Sequence, residues 1–432
     1  MNLKKLNLHN FRCFEDLEVE FHDKLSIIVG ANGAGKTTIL EAAAIAAGTL
    51  LYSLDGVINY GIKKTDAHNK YFNMGSVVDV QPQYPVELSA SGIADDTPIK
   101  WTRSLNSENG KTTVIDAKEM TQVSEEYQKR MMKGDTSLVM PIVAYYGTGR
   151  LWDYHREKKT DTFKKNNRSN GYIDCLDGTA NIKLMMNWFK KMAWTDGQNE
   201  KPSPEFAAVR SAMQHCFSLM TGIEDVKVQF NPDTSEIDII YRNSEEERVK
   251  IPLNQLSDGY KGTISLIADI AYRMAVLNPQ LSDLVLTETG GIVLIDEVDL
   301  HLHPAWQQRV ISDLTSIFPK VQFIVSTHAP AVINSVRSDN LIILKDSQIL
   351  QLNNQVYGKD VNSVLDEIMG VSERPPEVAR LFDKFYDQLA AKEFDLAVQT
   401  LNKIDELRDY HDQEVAGCRV KLKLERIRGG QA

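Results

Sequence analysis

Residues 25–38 read LSIIVGANGAGKTT. Leu25–Val29 is a short continuous apolar run, as a strand buried on both faces requires. The next eight residues, Gly30-Ala31-Asn32-Gly33-Ala34-Gly35-Lys36-Thr37, match G-x-x-x-x-G-K-[ST] in full. After them TILEAAAIAAGTLL (38–51) is alanine-rich and predicts a helix. Glycines let the backbone curl so that successive N–H groups face one anion, and the amino end of a helix adds its positive dipole. The stretch therefore predicts a phosphate cradle made by Gly30, Asn32, Gly33, Ala34, Gly35, Lys36, Thr37 and Thr38. Lys36 is expected to bridge β- and γ-phosphates, and the Thr37 hydroxyl to hold Mg²⁺. A chance glycine-rich turn would leave Lys36 without a task.

Three further motifs follow in the chain. Ile292-Val-Leu-Ile-Asp296-Glu297 is an apolar strand ending in two acids. Alone it reads as an ordinary strand with a charged exit; downstream of a glycine loop, Asp296 is expected to anchor Mg²⁺ and Glu297 to take a proton from attacking water. Leu256-Ser257-Asp258-Gly259-Tyr260-Lys261-Gly262 stands directly before a predicted helix, where a Ser/Asp/Gly turn by itself is an N-cap. Ser257, Gly259 and that helix end are too small to surround a nucleotide held elsewhere, so they are expected to reach the γ-phosphate on a second copy of the chain. Ser326-Thr327-His328 closes the strand after the acids, and its imidazole is expected to sense the terminal phosphate.

Composition sets the frame for these motifs. The 432 residues are 42% hydrophobic and 25% charged, with 25 glycines and 14 prolines, which excludes disorder, collagen and low complexity. No run of 18 uncharged apolar residues exists, and MNLKKLNLHNFRCF has no apolar h-region, so a cytoplasmic chain without a membrane partner is expected. Cys13, Cys175, Cys216 and Cys418 are far apart and read as buried apolar fillers of a reducing compartment. A formal net charge of −10 gives no global attraction to nucleic acid.

The pattern predicts an α/β fold with a mostly parallel sheet, because strands at 291–295, 321–326 and 341–344 alternate with helices at 264–277 and 304–317. The expected divisions are a P-loop core (1–51, 141–151 and 222–352), a β-rich insertion (52–140), a helical lobe (152–221) and a C-terminal helical appendage (353–432). Strand-like pieces of the insertion are Val86–Ala90, Ile99–Arg103 and Thr112–Ile115. Val226–Phe230 and Ile237–Tyr241 read as a hairpin. In the appendage, Val378, Leu381, Phe382, Phe385 and Leu389 recur at three-and-four spacing and suit either a helical cap or a protein-docking surface.

Gly30–Thr38, Leu256–Gly262, Ile292–Glu297 and His328, in this order, resemble the ABC-type ATPase head, and NFRCFEDLEVEF (10–21) resembles its RecF, SMC and OLD-like branch. YYGTGR (145–150), LSDGYK (256–261) and DEVDLHLHP (296–304) resemble, more narrowly, the ATPases of Septu and retron anti-phage systems. The resemblance implies ATP and Mg²⁺ as cofactors, a homodimer or higher homo-oligomer closed around ATP, and an HNH-type nuclease partner through which DNA is reached. Asp258 stands where the wider family prefers glycine and Tyr260 where it prefers Gln or Glu. Tyr146–Arg150 occupies the place of its glutamine loop.

Other readings remain beside this one. Asp299, His301 and His303 could be metal donors, or the dimer-facing loop after the catalytic acid, with Asp299 helping to order the partner's site. An autonomous nuclease would need a clustered acid set, and the segment after Leu350 has no D-x-D or H-N-H arrangement. A RecF/SMC-like DNA-binding repair ATPase without a nuclease would use the basic stretches Arg156–Arg168 and Arg419–Arg428.

Overall fold

The computed structural model describes residues 1–151, 167–178, 182–198, 203–350, 355–371, 374–407 and 413–428. They fall into two compact units, Met1–Lys359 and Asp360–Ala432. The first opens with strands β1 (Asn2–Phe11), β2 (Phe14–Glu20) and β3 (Leu25–Gly30), then helix α1 (Lys36–Ala47). Strands β4 (Asn69–Met74), β5 (Val77–Pro82), β6 (Val86–Ala94) and β7 (Thr97–Leu105), helix α2 (Lys118–Met132) and strand β8 (Ile142–Tyr146) follow. Next come helices α3 (Ile182–Gln198) and α4 (Pro204–Thr221), strands β9 (Lys227–Asn231), β10 (Glu236–Arg242) and β11 (Arg248–Pro252), and helices α5 (Asp258–Leu277) and α6 (Val285–Glu288). The unit closes with β12 (Gly291–Ile295), α7 (Pro304–Gln307), α8 (Val310–Ile317), β13 (Val321–Thr327), α9 (Pro330–Ile333), β14 (Leu341–Lys345) and β15 (Gln348–Leu350).

Six strands in the order β15-β14-β3-β13-β12-β8 make the central sheet, parallel except for β15. β12 and β13 are buried along their whole length and β3 up to Val29, which is why LSIIV, GIVLI and VQFIVST are mostly apolar and do not alternate. Register aligns their carboxyl ends: Ile295 is level with Val325 and Tyr146, and Thr327 with Val29. The segments that begin at Gly30, Asp296, Ser326 and Gly147 therefore leave one edge of the sheet together, where α/β sheets bind ligands. The mostly parallel α/β sheet expected from the sequence is borne out.

The segment 52–140 contains β4 to β7, and the strand-like pieces Val86–Ala90 and Ile99–Arg103 lie within β6 and β7. β6 pairs with β1, giving a second sheet in the order β2-β1-β6-β7, and Trp101 of β7 donates to the carbonyl of Ala46 in α1 at 3.0 Å. α1 thus lies between two sheets, and burying the Trp101 ring against it is worth about 2–3 kcal/mol. Thr112–Ile115 is not a strand; Thr113 makes one isolated bridge to Ser104. The polar run 118–132 is a helix instead, because Met120, Ser124 and Tyr127 fall on one inward face. The hairpin at 226–241 gains a third strand, β11.

Two boundaries also move. The LSDGYK segment is not a loop before α5: Ser257 is its N-cap and Asp258–Gly262 are its first residues. The helix expected over 304–317 is divided into α7 and α8. Cys175, Cys216 and Cys418 are buried as expected, whereas Cys13 is exposed.

In the second unit, α10 (Val361–Glu367) precedes α11 (Pro376–Ala390), α12 (Phe394–Leu407) and α13 (Gln413–Arg428). Phe382, Phe385 and Leu389 of α11 join Leu401, Ile404 and Leu422 in one core, with Val378 and Leu381 packed at its margin. Among the basic residues of 419–428, Arg419 pairs with Asp405, Arg426 with Asp395 at 2.9 Å, and Arg428 with Glu425 at 3.0 Å. Among the described residues no helix is long and apolar enough to cross a membrane.

Candidate active site

β3 delivers the chain to Gly30, and α1 starts six residues later at Lys36. Gly33 and Gly35 take φ of 82° and 101°, left-handed values that favour glycine. A Cβ on Gly30 would meet the Leu344 carbonyl at 2.7 Å, and one on Gly35 would meet the Phe14 ring at 2.4 Å and Cys13 Sγ at 2.9 Å. The β1–β2 turn therefore backs the loop, which explains why the exposed Cys13 lies here. No side chain caps the amino end of α1 and its first turn carries no acid, so its N–H groups suit an anion. Lys36 Nζ donates to the carbonyls of Gly30 (2.9 Å) and Ala31 (3.1 Å). Burial lowers its pKa, against the opposing charges of Asp296, Glu297 and Asp299.

The acids follow from the end of β12. Asp296 is 2% exposed, and its Oδ2 accepts from Thr37 Oγ1 at 2.7 Å. Its Oδ1 accepts from Ser326 Oγ, and the same Oγ accepts the Glu297 N–H at 2.8 Å. Glu297 has φ 47°, left-handed for a residue with a Cβ, and such backbone persists only where its surroundings over-determine it. Thr327 Oγ1 donates to Asp299 Oδ1 at 2.5 Å. His328 follows directly; burial and then the charge of Lys36 lower its imidazole pKa, while Glu297, Asp299 and Asp296 oppose them. Hydroxyl and carboxylate oxygens converging at Thr37 and Asp296 are the hard donors that Mg²⁺ prefers, so the donor set fits that ion.

The structure thus gathers the glycine loop, Lys36, Thr37, Asp296, Glu297 and His328 at one sheet edge. It does not bring Ser257 or Gly259 to them by any hydrogen bond among the described residues. Ser257 is exposed, while Gly259 packs on the His301 carbonyl, 2.6 Å from where a Cβ would sit. Tyr260 stacks edge-on to Trp306 at 4.4 Å. His303 accepts the Ala305 N–H at 3.3 Å and so caps α7.

Two contributors were marked in the sequence only by their place in YYGTGR, with no role assigned to either. Arg150, 7% exposed, donates to the carbonyls of Asp296 (2.6 Å) and Glu297 (2.7 Å). Tyr146 accepts the Asp296 N–H on its carbonyl at 2.8 Å and donates its hydroxyl to Asp269 of α5 at 2.7 Å. Arg273 Nε bonds the same carboxylate oxygen at 2.7 Å, so a buried triad ties α5 to β8. Backbone acceptors far along the chain leave no trace in residue pattern, and YYGTGR was the only signal.

A family model for an AAA domain matches residues 5–214, and a second AAA domain model matches 158–334. The Retron Vc95 probable ATPase of Vibrio cholerae serotype O1 biovar El Tor is 26% identical, over 89% of this chain and 83% of its own length. The Septu protein PtuA of Bacillus thuringiensis is 26% identical, over 93% of each chain. Over these spans the chain is similar to AAA domains, and along most of its length to the Septu and retron ATPases. An SMC head bound to the C-winged helix domain of ScpA superposes with a TM-score of 0.47 at 16% identity, over 82% of this chain and 98% of that one. The likeness to the Septu and retron proteins spans 93% and 89% of this chain, well beyond the glycine loop.

Proposed function

We propose that this ATPase is a nucleotide-driven switch whose site is completed by a second copy of the chain. ATP phosphates lie along Gly30–Thr38, with Lys36 turning from its loop carbonyls to the anion. Thr37 and Asp296 hold Mg²⁺, which when bound neutralises phosphate charge. Glu297 accepts the proton of the attacking water, and the neutral His328 donates a hydrogen bond to the γ-phosphate. Ser257 and Gly259 of the twin close the pocket. The hydrogen-bonded run Thr37–Asp296–Ser326–Glu297 carries this reading, because it joins the phosphate loop to both acids.

Glu297→Gln tests it: hydrolysis should fall by roughly 10²–10⁴-fold with ATP affinity unchanged, the range of a lost general base. Hydrolysis at the parental rate would overturn the role of Glu297. Ser257→Arg should leave ATP binding by the monomer intact and abolish the ATP-dependent dimer in sedimentation; an unchanged dimer would remove the closure across copies.

The kinship with Septu and retron ATPases supports a place in bacterial anti-phage defence, with nucleotide state governing an HNH-type nuclease that acts on DNA. Co-purification of the chain from its native host should bring down that nuclease, and a complex without any nuclease would sink this part. A DNA-binding repair clamp draws less support. Residues 156–166 of its basic stretch lie outside the described residues, Arg168 is spent on the carbonyls of Leu277 and Leu138, and three cations of 419–428 are paired.

A further inference from the structure

Arg150 is buried yet pairs with no carboxylate among the described residues. All three of its side-chain hydrogen bonds end on main-chain oxygens: Nη1 reaches Gly147 (3.0 Å) and Asp296 (2.6 Å), and Nη2 reaches Glu297 (2.7 Å). Removing a guanidinium from water is costly, and a buried one is retained where its planar fork does something a smaller group cannot. Consecutive carbonyls of a strand point to opposite sides. Those of Asp296 and Glu297 both meet one guanidinium, and it is at Glu297 that the backbone turns left-handed, φ 47°.

The same turn is held elsewhere along its length. Ser326 Oγ accepts the Glu297 N–H, and the Tyr146 carbonyl accepts the Asp296 N–H at 2.8 Å. The clamp itself is anchored, because Gly147 N–H donates to Gly178 at 2.7 Å. Burial lowers the Arg150 pKa, and the negative charges of Asp296, Asp299 and Glu297 oppose that only in part.

We infer that Arg150 is a positioning residue for hydrolysis: its guanidinium bridges the Asp296 and Glu297 carbonyls, fixes the left-handed turn between them, and so aims the Glu297 carboxylate. This rests on the hydrolytic role proposed for Glu297. The site then needs Arg150 for turnover and not for holding nucleotide.

The experiment compares Arg150→Ala, Arg150→Lys, Glu297→Gln and the Arg150→Ala/Glu297→Gln pair in the full-length protein, by ATP calorimetry, steady-state kinetics and single-turnover hydrolysis. Arg150→Ala should lower kcat by roughly tenfold to a hundredfold, the scale of a misplaced catalytic group, with KM and ATP affinity nearly unchanged. In the Glu297→Gln background the same change should cost less than about twofold, since its effect passes through that carboxylate. Arg150→Lys, whose single ammonium lacks the rigid fork, should fall between parent and Arg150→Ala; if Arg150→Ala does not fold, a reduced kcat with retained affinity in Arg150→Lys carries the result. An unchanged kcat in the Arg150 variants, or an equal loss in both backgrounds, would overturn the inference. A Glu297→Gln protein hydrolysing at the parental rate would instead bring down the underlying role of Glu297, so the two failures read differently.

Discussion

The Thr37 hydroxyl donates to Asp296 Oδ2 across 2.7 Å, joining residues 259 positions apart. It is the covalently unlinked step at which the phosphate loop meets the acid strand. Thr37→Val keeps the shape and removes the donor. The half-saturating Mg²⁺ concentration for hydrolysis should rise about tenfold or more, as expected for about 1.5–3 kcal/mol lost from a hydrogen bond to a charged group. Magnesium titrations of the parent, Thr37→Val and Thr37→Ser decide it; Ser should restore most of the effect, and identical curves for Val and parent would refute it.

His328 gives a pH signature. Its folded pKa lies below the ordinary 6.5, so between the two values the unfolded chain binds more protons than the folded one. Stability from this group therefore rises with pH across that interval and is lost as pH falls through 6.5 towards the folded value. Urea midpoints measured from about pH 5 to 7, where histidine titrates, should slope less for His328→Asn than for the parent. Lys36→Met should raise the imidazole midpoint observed by NMR, because the Lys36 charge is one of the forces holding it down.

The two left-handed glycines should differ on substitution. Gly33 has open space where a Cβ would go, so Gly33→Ala costs only the backbone strain of φ 82°, about 1 kcal/mol. Gly35→Ala adds collision with Phe14 and Cys13 and should cost about 2–4 kcal/mol, strain and overpacking together. Denaturant midpoints test the order, and a Gly33→Ala protein as damaged as Gly35→Ala would contradict it.

The buried triad predicts a graded loss. Tyr146→Phe removes one donor from Asp269 but leaves Arg273 in place, and should cost about 1–3 kcal/mol. Asp269→Ala strands the buried Arg273 guanidinium and should cost about 3–5 kcal/mol. Equal unfolding midpoints for the two variants would show that the carboxylate does not hold the pair together.

Much of the site was legible because its signals are local. A phosphate-binding turn needs glycine where φ is positive and lysine at its end, so Gly30–Thr38 announces itself by spacing alone, and Ile292–Glu297, an ordinary strand exit by itself, is legible once that loop precedes it. How the β-rich segment 52–140 attaches was not legible for the opposite reason: the pairing of β6 with β1 depends on a partner some eighty residues upstream. LSDGYK reads as a capping turn because Ser, Asp and Gly favour caps; Ser257 is that cap, but α5 already begins at Asp258.

The chain by itself determined which strands are buried, where the loop must bend, and which side chains could meet a triphosphate, since period, glycine content and donor type are written in the order of residues. Only the tertiary structure decided that Ser326 serves both acids, that Gly259 rests on the His301 carbonyl, and that Arg150 grips the turn at Glu297. The physical reason is the nature of the partners. Main-chain carbonyls are the same at every position, so an arginine aimed at two of them, 146 and 147 residues away, acquires its meaning only when the sheet brings β8 beside β12.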